Sequence, residues 1–205
     1  MSNGDVAGVI LAGGLARRMG GRDKAFITLG GRPLVAHAIE RLSPQTGALA
    51  INANGGAERF SQFGLPVIAD TVEGFAGPLA GVLAGVLWAK EQAPGARWVI
   101  SAATDTPFFP RDLVARFLAA VRESGARMAC AVRKGRAQPV FGLWPVDIAE
   151  DLEHALVDED LRKIDLFTAR YKLAAVSFDE AEDDLFFNIN RPEDLARAEA
   201  VLQGG

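Results

Sequence analysis

Glycines and positive charges are concentrated near the start of the chain, in the segment LAGGLARRMGGRDKA at residues 11–25. Gly13 and Gly14 remove side chains directly after an apolar run, and the backbone N–H groups of such loops can bind anions. The four cations that follow are Arg17, Arg18, Arg22 and Lys24. The spacing matches neither G-x-x-x-x-G-K-[ST] nor G-x-G-x-x-G, so it does not support an ordinary P-loop or dinucleotide-binding loop. The glycines together with Arg18 and Lys24 at a strand end nevertheless favour phosphate binding. A tight turn beside a solvated basic surface is the alternative.

An acidic residue follows another apolar run. The segment TDTPF at residues 104–108 comes directly after WVISAA, and its aspartate is Asp105. A carboxylate at the end of a strand can hold Mg²⁺ through one oxygen, with water and phosphate as the other ligands. Aspartate and threonine before a proline are also common in turns. Together with a phosphate-binding loop, the metal-binding interpretation is favoured.

Asparagine and aspartate side chains end or follow further apolar segments. Asn52 and Asn54 lie in NAN, and Asp70 ends PVIAD. Their oxygens and N–H groups can bind a base or a ribose, although turn capping is the simpler role without other context. Asn188 and Asn190 share one side of the chain if this segment is extended, so they could hold a polar heterocycle or cap the last helix.

The sequence offers no activated side-chain nucleophile. His37 and His154 have no partner at metal-binding spacing, and neither a Cys–His nor a G-x-S-x-G signature occurs. Cys130 is the single cysteine, which excludes an intramolecular disulfide and a cysteine-rich metal cage.

The elements that must position these residues alternate along the chain. Apolar runs predict strands at 6–12, 48–52, 66–70, 97–103, 127–132, 138–144 and 172–178. Helical spacing predicts helices at 33–42, 57–63, 78–91, 111–123 and 191–202, with a mostly helical segment at 146–168. The alternation predicts a three-layer, Rossmann-like α/β domain with a mostly parallel sheet, which a hairpin at 127–144 would make mixed. We expect one domain over residues 1–205, with the polar residues gathered at the carboxyl ends of the strands.

Three glycines recur at every fourth position of the predicted helix in GPLAGVLAG. Glycine weakens a helix, so this spacing indicates close backbone packing. We interpret Gly81 and Gly85 as contacts with the sheet, whereas Gly77 and Pro78 at the helix start could line a ligand.

The composition narrows the class of protein. Of the 205 residues, 49% are hydrophobic and 23% are charged, which allows a normal buried core, and the net charge is −4. The negative charge argues against general binding of nucleic acid or anionic membranes. The longest apolar stretch, at 77–89, is too short to span a bilayer, and no signal peptide precedes the first strand. We therefore expect a cytoplasmic protein.

Taken in order, the segments LAGG-x-ARRMGG-x-DKA, NAN, GPLAG, DTPF and FNINRPEDL resemble those of the molybdenum cofactor guanylyltransferases. The resemblance covers residues 8–200 and places the chain within the nucleotidyltransferase superfamily. It implies transfer of GMP from GTP to the terminal phosphate of molybdopterin carrying molybdenum, with pyrophosphate as the second product.

The resemblance also assigns roles to individual residues. The implied GTP contacts are Leu11, Ala12, Gly13, Gly14, Lys24, Asn52, Asp70 and Asp105. Asp105 is the implied Mg²⁺ ligand, and Asn188 and Asn190 are the implied pterin contacts. The segment RAQPVFG is less diagnostic, which leaves pterin contacts at Gln138 and Pro139 open.

The chemistry agrees with these roles, because an acceptor phosphate is already anionic at neutral pH and needs no activated Ser, Cys or His. Catalysis would depend on alignment and charge neutralisation, with Arg18, Lys24 and Asp105 as the catalytic candidates. The alternatives are a nucleotidyltransferase with another base or acceptor, such as a molybdenum cofactor cytidylyltransferase, and a non-catalytic nucleotide-binding or cofactor-binding module.

The resemblance implies GTP and molybdenum-molybdopterin as substrates and Mg²⁺ as cofactor. It also implies transient contact with proteins that deliver the cofactor or with recipient molybdoenzymes. We expect a monomer with no nucleic-acid or membrane partner.

Overall fold

The apolar run at the start of the chain forms a fully buried strand in the middle of a sheet. The structure, a computed structural model, describes residues 3–13, 15–16, 22–72, 74, 77–179 and 185–204, with the backbone alone at 3, 15, 16 and 22. Strand β1 (Val6–Leu11) is buried at every position and pairs in parallel with a strand on each side. A strand in that position has both faces covered, which explains its continuous apolar sequence.

The sheet contains seven strands in the described part of the chain. They are β1 (Val6–Leu11), β2 (Ala48–Asn52), β3 (Val67–Ile68), β4 (Trp98–Ala103), β5 (Met128–Arg133), β6 (Arg136–Pro145) and β7 (Leu173–Ser177). Their order across the sheet is β7-β5-β6-β4-β1-β2-β3. Strand β6 is antiparallel to both of its neighbours, and the other pairs are parallel. The predicted mixed sheet and the predicted hairpin are therefore confirmed.

Helices cover both faces of the sheet. They are α1 (Leu34–Leu42), α2 (Pro78–Gln92), α3 (Leu113–Ser124), α4 (Ala149–Val157), α5 (Ile164–Thr168) and α6 (Pro192–Gly204). Helices α1 and α3 share a core with Val6 and Ile10, whereas α2, α4 and α5 share a second core with Ala7 and Val9. Alternate residues of β1 thus face opposite layers, as the pleat of a strand requires. The three-layer prediction is confirmed.

Helix α6 packs separately, against a short hairpin at Thr28–Leu29 and Arg32–Pro33. Ala198 of this helix shares a third apolar cluster with Leu29 and with Ile189, which lies just before the helix. This packing brings the FNINRPEDL segment next to the start of the chain.

The glycines of α2 lie against the sheet. A Cβ atom built on Gly81 would come within 2.4 Å of Asn52 Oδ1 and 2.8 Å of Leu11 Cδ2. A Cβ atom on Gly85 would come within 2.7 Å of Val9 Cγ1. The prediction of close packing at these two positions is confirmed.

The mostly helical segment predicted at 146–168 is confirmed, whereas the strand predicted at 66–70 is shorter in the structure. The segment at 146–168 is interrupted between α4 and α5, where Asp160 has a positive φ of 52°. The sequence DEDLRK at 158–163 offers exposed charges rather than a continuous apolar stripe, so the helix cannot continue with a buried face. The strand predicted at 66–70 pairs only over Val67–Ile68.

None of the described helices is both long and apolar enough to cross a membrane.

Candidate active site

A cleft of about 330 Å³ lies at the carboxyl ends of β1 and β4. Parallel sheets bind ligands at this edge, where the loops after the strands meet. The residues of its lining that were singled out from the sequence are Leu11, Gly13, Lys24, Pro78, Asp105 and Asn188. The cleft therefore brings together segments from the beginning, middle and end of the chain.

Lys24 stands on a short 3₁₀ turn, Lys24–Phe26, at the side of the cleft. The turn is capped by Asp23, whose Oδ1 accepts a 3.0 Å hydrogen bond from the Ala25 N–H. Lys24 Nζ lies 2.8 Å from Asp105 Oδ2 and also donates to Asn190 Oδ1. The Lys24 and Asp105 side chains are 19% and 22% exposed, so both charged groups remain accessible from the cleft.

Asp105 and Thr106 follow β4 and contact the segment that precedes α6. The Ile189 N–H donates to the Asp105 carbonyl at 2.7 Å, which holds the two segments side by side. The Thr106 hydroxyl donates to Asn188 Oδ1 and lies 3.2 Å from Asp105 Oδ1. Thr106 carries no role predicted from the sequence, although its position next to Asp105 in TDTPF is a signal that could have identified it.

The N-terminus of α6 is capped by Asp194 and not by the Asn190 side chain, which was the alternative role for Asn190. The Asp194 carboxylate accepts 2.9 Å hydrogen bonds from the N–H groups of Asn190 and Arg191. A carboxylate in the first turn suits the positive end of a helix. The Asn190 side chain is thereby left for Lys24, so this residue belongs to the site by contact.

A second polar cluster forms where β2 and β3 end. Asn52 Nδ2 donates to Asp70 Oδ1 at 2.9 Å, and Asn54 Nδ2 donates to Asp70 Oδ2 at 2.7 Å. The Asp70 N–H returns a 2.8 Å hydrogen bond to Asn54 Oδ1. Among the described residues, each Asp70 carboxylate oxygen accepts one of these side-chain hydrogen bonds, so Asp70 is held in place and has lone pairs that can accept from a ligand.

Leu11 and Ala12 connect the cleft with this second cluster. The Ala12 N–H donates to the Asn52 carbonyl at 2.9 Å, and the Leu11 carbonyl accepts from the Thr104 N–H at 3.3 Å. These backbone groups already serve the sheet, and both side chains are buried. The exposed backbone begins at Gly13, where an added Cβ atom would meet no atom of the described residues within 4 Å.

One wall of the cleft comes from a bulge in β6. The pairing of β6 with β5 shifts between Gln138 and Gly142, and the residues at 138–141 line the cleft. Inside the wall, the buried Ser101 hydroxyl donates to the Val140 carbonyl at 2.6 Å and accepts from Trp144 Nε1 at 2.9 Å. A bulge aims side chains away from the regular pleat, and the sequence carried no clear signal for it.

Three residues singled out in the sequence lie outside the described residues. They are Gly14, Arg17 and Arg18. The side chain of Arg22 also lies outside them. The GTP-binding role of Gly14 and the catalytic role of Arg18 stay predictions.

The donor groups of the cleft suit a magnesium ion that is shared with a substrate. Among the described residues, no cluster of three or more His, Cys, Asp or Glu side chains could hold a metal alone. Asp105 is the acidic side chain among the cleft-lining residues. Mg²⁺ in phosphate-binding sites commonly uses one or two carboxylates, with water and phosphate oxygens completing the octahedron.

The thiol of Cys130 is buried and is expected to be unreactive. Burial raises its pKa to about 11, because a thiolate would lose its solvation there. A thiol in this state is protonated at neutral pH and is a poor nucleophile, in agreement with a reaction that needs no covalent intermediate.

The chain is similar in sequence to a family of nucleotidyltransferases and to known relatives. Residues 8–172 match the family described as the MobA-like NTP transferase domain. The molybdenum cofactor guanylyltransferase of Bradyrhizobium sp. (strain ORS 278) is 55% identical over 196 residues, which cover 96% of this chain and 92% of the relative.

Solved structures show the same fold. Molybdopterin-guanine dinucleotide biosynthesis protein A from Archaeoglobus fulgidus superposes with a TM-score of 0.77 at 25% identity, covering 97% of this chain and all of that chain. Rv0371C from Mycobacterium tuberculosis, solved in complex with manganese, gives a TM-score of 0.67 at 15% identity and covers 96% of this chain and 98% of that chain. The cleft described above therefore occurs in a fold shared with these proteins.

Proposed function

Since the chain belongs to the family of MobA-like NTP transferases, we propose that it transfers GMP from GTP to the phosphate of molybdenum-loaded molybdopterin and releases pyrophosphate. The observation that carries the proposal is the contact between Lys24 and Asp105 in a cleft at the carboxyl edge of the sheet. It supports phosphoryl chemistry because a cation and a metal-binding carboxylate stand side by side where a triphosphate can enter.

The proposed reaction needs alignment more than proton transfer. An oxygen of the acceptor phosphate forms a bond to the α-phosphorus of GTP, and the bond between that phosphorus and the α–β bridging oxygen breaks. The leaving pyrophosphate carries the electron pair away. Lys24 binds the triphosphate and stabilises the negative charge that develops on the departing group. Arg18 supplies a second positive charge in this proposal.

The cluster around Asp70 binds the nucleoside in this proposal. Guanine presents N–H donors and ribose presents hydroxyl donors, and the Asp70 carboxylate has lone pairs to accept them. Asn52 and Asn54 hold that carboxylate through the hydrogen bonds described above. Gly13 and the adjacent Leu11–Ala12 segment would lie along the phosphates between the two clusters, and the proposal also includes GTP binding by Gly14.

Asp105 would hold Mg²⁺ through its carboxylate, together with phosphate oxygens and water. Bound there, the ion would supply positive charge to the phosphates. The neighbouring Lys24 ammonium already lies against this carboxylate, so the same residues that meet the phosphates also position the metal ligand.

The acceptor enters beside Asn188 and Asn190 in this proposal. Asn188 lines the cleft and Asn190 contacts the Lys24 ammonium, which is where an acceptor phosphate must approach the nucleotide. Their amide groups can pair with the polar edge of a pterin. The proposal includes a monomer that acts in the cytoplasm and contacts cofactor-delivering or recipient proteins transiently.

A nucleotide-preference assay tests the proposed function. The purified protein is supplied with Mg²⁺, molybdenum-loaded molybdopterin and either GTP or CTP, and pyrophosphate and the dinucleotide product are measured. We expect turnover with GTP to exceed that with CTP by about a hundredfold, because unpaired polar groups penalise the wrong base. Preference for CTP would overturn the guanine assignment. Absence of pyrophosphate with every nucleotide tested would instead indicate a non-catalytic binding module.

A further inference from the structure

We propose that Arg59 is a positioning residue that sets the distance between the phosphate-binding and nucleoside-binding parts of the site. The inference rests on the proposed function, because it concerns a nucleotide that spans Lys24 and Asp70. Arg59 lies in the 3₁₀ segment Ala57–Phe63, outside the residues that line the cleft.

The guanidinium of Arg59 joins two loops through hydrogen bonds. Nε donates to the Gly56 carbonyl at 3.0 Å, and Nη2 donates to the Gly55 carbonyl at 2.9 Å. Nη1 donates to Asp23 Oδ2 in an ion pair. The planar fork of arginine can serve three acceptors in fixed directions, which a lysine ammonium on a flexible stem does less well.

Two aromatic rings hold the same guanidinium. The Arg59 Cζ atom lies 5.9 Å from the ring centre of Phe26 and 5.3 Å from that of Phe60. The two rings contact each other, with centres 4.9 Å apart. Phe26 is the last residue of the turn that carries Lys24, so the cation–π contacts add to the connection between the loops.

The glycines that accept from Arg59 have the backbone shape this contact needs. Gly55 and Gly56 have φ angles of 69° and 58°, which favour glycine over residues with a Cβ atom. A Cβ atom on Gly56 would also lie 2.6 Å from Arg59 Nε. The loop is therefore shaped to place two carbonyl groups against this side chain.

The contacts of Arg59 bear on the site because Asp23 and Gly55, which it joins, are each adjacent in sequence to a residue of the site. Asp23 immediately precedes Lys24 and caps its turn, and Gly55 immediately follows Asn54, which holds Asp70. A ligand that reaches only one of the two loops gains little from a fixed distance between them. GTP gains the full benefit, because a preset spacing avoids the entropy of ordering two loops at once.

The experiment compares ligands that span the site with ligands that do not. R59A is titrated with GTP, and guanosine and pyrophosphate are titrated separately by displacement of a fluorescent GTP analogue. We expect the Kd for GTP to rise about tenfold, with changes below about twofold for guanosine and for pyrophosphate.

R170A is the matched control. Arg170 also pairs with a carboxylate, Glu159, and stacks on a phenylalanine, Phe167, whose ring centre lies 5.9 Å away. The Arg170 side chain is 37% exposed, against 39% for that of Arg59. Neither Glu159 nor Phe167 lines the cleft. R170A should lower the melting temperature about as much as R59A and leave all three affinities unchanged.

The outcomes separate this inference from the proposed function. Equal losses for GTP, guanosine and pyrophosphate in R59A, or equal GTP affinity in R59A and R170A, would overturn the positioning role. Failure of the wild-type protein to bind GTP would overturn the proposed function itself. If R59A does not fold, R59K provides the same comparison, since it keeps a charge near Asp23 but cannot reach both glycine carbonyls at once.

Discussion

The ammonium of Lys24 lies 2.8 Å from the carboxylate of Asp105, although 81 positions separate the two residues in the chain. Both side chains are partly exposed, and ion pairs of this kind add little to folding stability. Their value lies in the charge they present to the cleft. A triphosphate entering there would meet the cation, and a divalent cation would meet the carboxylate.

Replacing Lys24 with alanine should impair the reaction far more than the fold. We expect a loss of about 3 kcal/mol in transition-state stabilisation, because a positioned cation no longer neutralises the leaving pyrophosphate. The measurement is kcat/KM for pyrophosphate release with GTP as the donor. The control is Lys90→Ala, near the end of α2 that lies away from Pro78 and the cleft. Wild-type kcat/KM in the Lys24 variant would refute the phosphate-binding role.

Asp105→Asn should strongly reduce turnover and spare much of the GTP binding. The substitution keeps the size of the side chain but removes the charge that would hold Mg²⁺, so we expect kcat to fall by roughly two to three orders of magnitude. Single-turnover pyrophosphate release and calorimetric GTP binding separate the two effects. Asp147→Asn is the matched control, because Asp147 pairs with Arg127 at 3.2 Å near the opposite end of β4. A kcat within about fivefold of wild type would argue against Asp105 as the metal ligand.

Gly81→Ala and Gly85→Ala form a matched pair in α2. Each adds a methyl group that clashes with the sheet, so both should lower the free energy of unfolding by about 1–3 kcal/mol despite the better helix propensity of alanine. The Gly81 methyl would strike Asn52, whereas the Gly85 methyl would strike Val9. Only Gly81→Ala should therefore weaken GTP binding, measured by calorimetry beside thermal unfolding. Equal GTP affinities in the two variants would show that Asn52 does not position Asp70.

Glu40 should make folding stability depend on pH under acidic conditions. Hydrogen bonds from Arg32 and Arg111 lower the pKa of Glu40 from 4.5 to about 2 in the folded protein. The unfolded chain thus takes up this proton first as the pH falls, so the contribution is complete above pH 4.5 and is lost towards pH 2. Chemical denaturation gives the free energy of unfolding of wild type and of Glu40→Gln at each pH. The difference between the two proteins should become smaller as the pH falls from 4.5 towards 2.

Salt provides the control for the Glu40 prediction. This network is exposed, and at about 1 M salt the screening length is about 3 Å, so the difference between the two proteins should become small at every pH. A difference that stays constant from neutral pH down to pH 2 would contradict the prediction.

The elements could be predicted because their signals are local. The apolar run at 6–12 indicated a buried strand, and β1 is buried at every position. The stripe at 33–42 indicated a helix, and α1 occupies Leu34–Leu42. Glycines at every fourth position indicated close packing, and Gly81 lies against Asn52. The prediction of a mostly helical segment at 146–168 is confirmed, and its helices are interrupted where charged residues leave no apolar face to bury.

The sequence by itself determined the order of strands and helices and which residues follow the strand ends, since backbone hydrogen bonding and the burial of apolar faces are encoded over a few neighbouring positions. Only the tertiary structure decided which of those residues touch. Asn190 could cap α6 or face the cleft, and it contacts Lys24 because Asp194 supplies the cap. Arg59 gave no signal in the sequence, because its partners lie on two loops that meet only when β1 and β2 pair. Such contacts depend on how distant segments pack, and no local pattern encodes that arrangement.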